Sequence, residues 1–290
     1  MEKILVTGGL GFIGSNLVDK LIETKKYNVW VIDNHMSDSS YFEYRNLKAQ
    51  YIADDVANIS QWRHELGYFD VIIHLGAHAR IQPSFRNPVN TLNNNIIGTA
   101  AVCEYARHYA KRVVYAGSSS FYSGPKLNPY AFSKYIGEEV CDLYTQIYGL
   151  STVTARFFNV YGPRQPKEGD YATVIGIFER QHMAGQDLTI IGDGDQRRDF
   201  THVNDICDGL ITMAQNSMTG VYNLGTGTNY SINEIARMIM SVSSKNINKI
   251  YLPQRPGEAR ITLADISKTT NDMGWVPKEN LSTYIENVIK

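Results

Sequence analysis

Residues 4–14 join an apolar run, Ile4-Leu5-Val6, to glycines at positions 8, 11 and 14, and an amphipathic stretch follows over residues 12–24. A run that is apolar at every position fits a strand covered on both faces. Glycines spaced three apart permit a tight turn and let the backbone approach an anion with no Cβ in the way. The last of them lets the following helix pack close to the strand, and the helix N-terminus favours negative charge. Residues Gly8, Gly11, Phe12, Ile13 and Gly14 therefore read as a strand–turn–helix unit shaped to take the pyrophosphate of a dinucleotide.

The same alternation recurs. Val29-Trp30-Val31-Ile32, Val71-Ile72-Ile73-His74-Leu75 and Val113-Val114-Tyr115-Ala116 are short apolar runs, with helical patterning near 90–109 and 130–148. Strand, helix and strand in repetition predict an α/β fold, a doubly wound parallel sheet of the Rossmann kind, over residues 1–158. From residue 159, prolines 163, 166, 253 and 256 and glycines 169, 185, 192 and 194 cut the chain into shorter elements. A smaller C-terminal lobe over 159–290, binding substrate, is expected, with 203–224 rejoining the first lobe.

The second strand ends at Asp33, 19 residues beyond Gly14. A carboxylate there accepts both hydroxyls of an adenosine ribose and repels a 2′-phosphate, which favours NAD over NADP. Asn34 is its neighbour, Asp55 and Val56 are placed to border the adenine, and Leu75, Gly76 and Ala77 leave room for phosphates and ribose. Lys and Arg number 28 against 29 Asp and Glu, so net charge is -1 and nothing suggests a nucleic-acid partner. No apolar stretch approaches the ~20 residues of a membrane span, and residues 1–6 run straight into a strand pattern without a leader. Three scattered cysteines, 103, 141 and 207, read as buried thiols in a reducing compartment, with the cytoplasm as the expected location.

Tyr130 and Lys134 stand four apart behind Pro129, on one face of a predicted helix. A free phenol ionises near pH ~10; an adjacent ammonium and a cationic nicotinamide are expected to hold it ionised, a shift of ~3 units worth about 4 kcal/mol. Ser118 ends the preceding strand, where this fold places ligands, and is positioned to share a substrate proton with Tyr130.

These segments, together with Arg156-Phe157-Phe158-Asn159, Gly192-Asp193-Gly194, Arg198-Asp199-Phe200, Arg255-Pro256-Gly257-Glu258 and Ala264-Asp265, resemble the extended short-chain dehydrogenase/reductases, specifically the NAD-dependent nucleotide-sugar epimerase/dehydratase family. The resemblance implies Ser118, Tyr130 and Lys134 as the catalytic set. It implies that Asn95 supports the cofactor or the Lys134 region, and that Phe157 packs near the nicotinamide. It assigns the nucleotide diphosphate to Asn159, Arg198 and Arg255. Arg80 and Ser119 are further candidates at the substrate.

The family's dehydratases carry Asp-Glu directly after the strand-end residue, and its decarboxylases usually a glutamate; Ser119 and Ser120 stand here instead, which favours 4-epimerisation of a UDP-sugar through a 4-keto intermediate. Thr262 occupies the family's gatekeeper position and leaves room for an N-acetyl group, so UDP-GlcNAc/GalNAc or UDP-glucose/galactose are expected, with UDP-glucuronate competing. The connection from Ser118 to Tyr130 is about half the family's usual length. A non-catalytic NAD sensor is the least favoured reading, because both Tyr130 and Lys134 are present. His74 and His78 lack a third ligand, so no metal is expected. The family's dimer implies a homodimer formed as a four-helix bundle from segments 90–109 and 130–148.

Overall fold

The computed structural model describes residues 1–35 and 43–289. Its first half carries strands β1 Glu2–Thr7, β2 Tyr27–Asp33, β3 Gln50–Ala53, β4 Val71–His74, β5 Arg112–Ser118 and β6 Ser151–Phe157. Helices alternate with them: α1 Phe12–Glu23, the short α2 Arg63–Leu66, α3 Ile81–Arg86, α4 Pro88–Leu92, α5 Gly98–Tyr109, α6 Ser120–Ser123 and α7 Pro129–Tyr148. The second half comprises β7 Val160–Tyr161, α8 Val174–Met183, β8 Leu188–Ile191, β9 Arg197–Asp199, β10 Thr201–His202, α9 Val203–Gln215, β11 Gly220–Leu224, β12 Asn229–Ser231, α10 Ile232–Val242, β13 Lys249–Leu252, α11 Ser267–Met273 and α12 Leu281–Ile289.

Seven parallel strands form one sheet in the order β11-β6-β5-β4-β1-β2-β3. On one face, Leu17, Leu21, Ile206 and Leu210 from α1 and α9 pack on Val6, Val31, Val114 and Ala155. On the other, Val102, Ala106 and Cys141 from α5 and α7 cover Leu5, Ile72, Val113 and Tyr115. Burial on both faces is why these strands read as unbroken apolar runs. The chain reverses its order of strands at β1, and ligand crevices of such sheets open at that point, beyond the strand C-termini. A separate apolar cluster built on Ile175, Phe178, Leu188, Ile190, Ile235, Ile239 and Ile285 organises the second lobe.

Segment 203–224 lies against the sheet, with α9 on its face and β11 at its edge. So does the stretch after it: α11 packs on β11, and the buried Trp275 donates its indole N–H to the Asp205 carbonyl at 3.0 Å. Segment 90–109, expected as one regular helix, instead contains a π-turn over Asn93–Ile97 between α4 and α5. The Thr99 hydroxyl donates to the Asn95 carbonyl at 2.6 Å, a side-chain competitor for a backbone acceptor of the kind that loosens helical repeat. All three cysteines are buried and free, with Cys103 and Cys141 sulfurs 3.9 Å apart. No helix among the described residues is long and apolar enough to cross a membrane.

Candidate active site

A cleft opens over the C-terminal ends of β1, β2, β4 and β5, and its floor is made of glycine. Gly8 holds φ +67°, a conformation that disfavours any side chain. A Cβ on Gly14 would collide with the Gly8 carbonyl oxygen and lie 2.7 Å from the Gly9 Cα; one on Gly76 would lie 3.1 Å from Thr7 Oγ1. This bare cradle fits a dinucleotide, whose pyrophosphate needs close backbone approach. Gly14→Ala is therefore expected to weaken NAD binding about tenfold, ~1.4 kcal/mol, as read by titration of the purified apoprotein.

Of the residues expected around the cofactor, Gly8, Gly11, Phe12, Ile13, Gly14, Asp33, Asn34 and Val56 line this cleft, as do Leu75, Gly76, Ala77, Tyr130, Lys134 and Phe157. Asp33 also ties the site together: its carboxylate accepts from the Leu10 and His35 backbone N–H groups, each at 2.9 Å. One placement differs from expectation and another narrows it. Asp55 does not line the cleft; it accepts from the Asn34 side chain at 2.9 Å and caps the turn that follows it, while Asp54 and Val56 face inward. Asn95 is buried behind the wall, bonded to the His78 backbone and to Ser133 Oγ at 2.8 Å, and Asn94 lines the cleft instead. Of the two roles that the resemblance implies for Asn95, this placement fits support of the Lys134 region.

Asn128 caps α7 by accepting from the Ala131 N–H at 2.7 Å, Pro129 begins the first turn, and the Tyr130 N–H donates to Ser84 Oγ at 3.2 Å. The Tyr130 hydroxyl then meets Ser118 Oγ, at the end of β5, at 3.3 Å. Lys134 is only 5% exposed, with its ammonium 4.5 Å from the centre of the Tyr115 ring. Burial pulls its pKa down to about 8, with Glu138 acting in the opposite sense. Burial pushes the Tyr130 phenol up, and the Ser118 hydrogen bond and the charge of Arg80 pull it down. Arg80 is thus a cation beside the phenol, in addition to Lys134 one turn along the helix.

Arg80 lines the cleft beside Tyr130 and Tyr171. Its Nε donates to the Tyr171 carbonyl at 2.9 Å, Nη2 reaches the same oxygen, and Nη1 donates to the Ala79 carbonyl at 3.1 Å. Pro166 and Tyr171, from the second lobe, also line the cleft and carry no local sequence signal. Behind α7, the buried Glu138 and Arg156 pair at 2.6 Å, and the guanidinium lies 3.5 Å from the centre of the Phe121 ring. That stack braces the short connection between Ser118 and Tyr130.

Of the residues expected at substrate, Arg80 lines the glycine-floored cleft, whereas Ser119, Asn159, Arg198, Arg255 and Thr262 do not. Asn159 donates to the Asp199 carbonyl at 3.0 Å and to Thr262 Oγ1 at 3.1 Å, and Thr262 is buried. Ser119 donates its N–H to the Phe157 carbonyl at 3.1 Å. Arg198 faces Glu258 at 3.6 Å and Arg255 is exposed. The loop carrying Arg255 is pinned to the first lobe by Asn128 Nδ2 donating to Gly257 and Gln82 Nε2 donating to Pro256, each at 3.1 Å. The Asp199 carboxylate accepts from the Thr226 N–H and hydroxyl and from the Gly227 and Ala264 N–H groups, at 2.7–3.1 Å.

The profile of the NAD dependent epimerase/dehydratase family matches residues 4–225. A putative UDP-glucose 4-epimerase of Methanocaldococcus jannaschii is 35% identical over 99% of this chain and 97% of its own length. Among solved structures, the UDP-glucose 4-epimerase of Thermotoga maritima, with UDP-glucose, is 30% identical with a TM-score of 0.93, covering 99% of this chain and 97% of that one. The UDP-N-acetylglucosamine 4-epimerase of Methanobrevibacter ruminantium, in complex with UDP-N-acetylmuramic acid, is 31% identical with a TM-score of 0.91, covering 99% and 97%.

Proposed function

The chain belongs to the NAD-dependent epimerase/dehydratase family, and from that premise we propose that it inverts carbon 4 of a UDP-sugar, with Tyr130 as the proton acceptor. The observation that carries this is the contact of Tyr130 Oη with Ser118 Oγ at 3.3 Å beside a glycine-floored dinucleotide cleft. Gly8, Gly11, Gly14 and Asp33 would hold NAD, which would supply a reversible two-electron acceptor for the carbon–hydrogen bond at C4.

The chain's own work is to hold and move one proton. Tyr130, as phenolate, removes the C4 hydroxyl proton, and Ser118 donates a hydrogen bond that steadies the charge. The resulting 4-keto sugar turns over in the cleft while Asn159, Arg198 and Arg255 keep the diphosphate in place. The same phenol then returns its proton to the opposite epimer. Arg198 must exchange Glu258 for phosphate when substrate arrives, as expected of a guanidinium held at 3.6 Å by a rim carboxylate.

Elimination of water would need an acid and base near Tyr130. The acids lining the cleft, Asp33 at the end of β2 and Asp54 just after β3, lie on the far side of β1 from β5. That favours epimerisation. The relatives' substrates, with Thr262 in place of a bulky aromatic, support UDP-GlcNAc or UDP-glucose as the sugar. Incubation with each, and with UDP-glucuronate, read by product stereochemistry, tests the proposal. A 4-keto-6-deoxy product or released carbon dioxide would assign another reaction of the family.

The chain is further read as a homodimer. Ile97 (55%) on the π-turn and Ile147 (65%) on α7 are exposed on the segments that would form a four-helix bundle, an unusual cost for neighbouring helices facing water. Ile147→Glu is expected to convert dimer to monomer in light scattering; an unchanged mass would refute that interface.

A further inference from the structure

We propose that Ser120 is a positioning residue that sets the direction of the Ser118 hydroxyl, so that Ser118 and Ser120 reverse together as Tyr130 gains and loses its proton. The proposal rests on Tyr130 being the proton acceptor of the epimerase reading above. Ser118 Oγ has three polar neighbours: the Ser120 N–H at 3.2 Å, the Ser120 hydroxyl at 2.9 Å and the Tyr130 hydroxyl at 3.3 Å. A hydroxyl offers two lone pairs and one proton, so these three neighbours fill it completely. The backbone N–H can only donate, which commits one lone pair.

The other two positions are then linked. A phenolate only accepts, so ionised Tyr130 requires the Ser118 proton, and the Ser120 hydroxyl must donate into the remaining lone pair. A neutral phenol donates, so Ser118 takes that proton's hydrogen bond and turns its own toward Ser120 Oγ. Both serines keep one proton throughout. The only proton gained or lost is the one exchanged between the sugar hydroxyl and Tyr130 Oη. Donation from Ser120 also strengthens the bond Ser118 makes to the phenolate, because chained hydroxyls polarise one another.

Removing the Ser120 hydroxyl weakens the ionised state, since in the neutral state the sugar's own oxygen can take the Ser118 proton. The other groups facing Tyr130 stay in place: Lys134 one turn along α7, Arg80 from the β4–α3 connection and Tyr115 from β5, with Tyr171 and Glu258 acting through Arg80. Ser120→Ala is expected to lower kcat about fivefold with KM within about twofold, and to move the acid limb of kcat/KM upward by about half a pH unit. Ser120→Thr, which keeps the hydroxyl, restores both. Wild-type kcat and an unmoved limb in Ser120→Ala would overturn the proposal, as would a fall in kcat that leaves the limb in place and that threonine does not repair. Absorbance titration of tyrosinate, taken against Tyr130→Phe backgrounds, reads the same shift without turnover. That measurement separates failure of the serine pair from failure of the epimerase reading, in which the wild type converts no UDP-sugar at all.

Discussion

Replacement of Tyr130 by phenylalanine is expected to lower turnover by at least ~10³-fold while the protein keeps its fold and its NAD. General acid–base groups contribute roughly 10²–10⁴-fold, and here one phenol removes the proton in the forward half-reaction and restores it in the return. The fold should survive because among the described residues the hydroxyl makes one hydrogen bond, to Ser118 at 3.3 Å, whereas the bonds that seat the helix belong to the backbone: Tyr130 N–H to Ser84, and Ala131 N–H to Asn128. Paired measurement of kcat and bound NAD tests both halves. Turnover within tenfold of wild type would mean that the proton goes elsewhere.

Lys134→Met should be almost inactive and yet more stable than the parent. The lysine is 5% exposed, and its burial lowers the pKa from 10.5 to about 8. A lowered lysine pKa means that the folded state binds fewer protons than the unfolded one between pH 8 and 10.5. Below pH 8 the amine is charged in both states and burial costs stability; the cost is relieved as pH rises through that window. The cost is on the order of 3 kcal/mol at pH 7. Methionine has similar length and no charge, so the apoprotein variant should gain ~1–3 kcal/mol in urea melts at pH 7, and the gain should shrink toward pH 10.5. Turnover should fall ~10²-fold or more, since the amine sits one turn from the reacting phenol. A variant less stable than wild type at pH 7 would show that the lysine is held by favourable contacts, not at a cost.

Much of this was legible in the sequence because it rests on short-range patterning. The apolar run at residues 4–6, the glycines at 8, 11 and 14 and the Tyr130–Lys134 spacing each encode their geometry within one or two turns of chain, and the structure has a strand, a turn and a helix face at those places. What was not legible depends on register or on distant backbone. Asn94 replaces Asn95 in the cleft wall because a π-turn intervenes, and nothing in the composition of 90–109 announces it. Arg80 is held by the Tyr171 carbonyl, 91 residues away, an acceptor that every residue type possesses. Arg80 could be suspected as a candidate, but its place beside Tyr130 could not.

Asp199 has a consequence for how such chains diverge. Of its four donors, three are backbone N–H groups, at Thr226, Gly227 and Ala264. A main-chain amide survives replacement of nearly any side chain. The acid should therefore be retained through evolution with no partner column that changes in step with it, so methods that infer contacts from correlated substitution would pass over the point where the segments after β11 and before α11 meet β9.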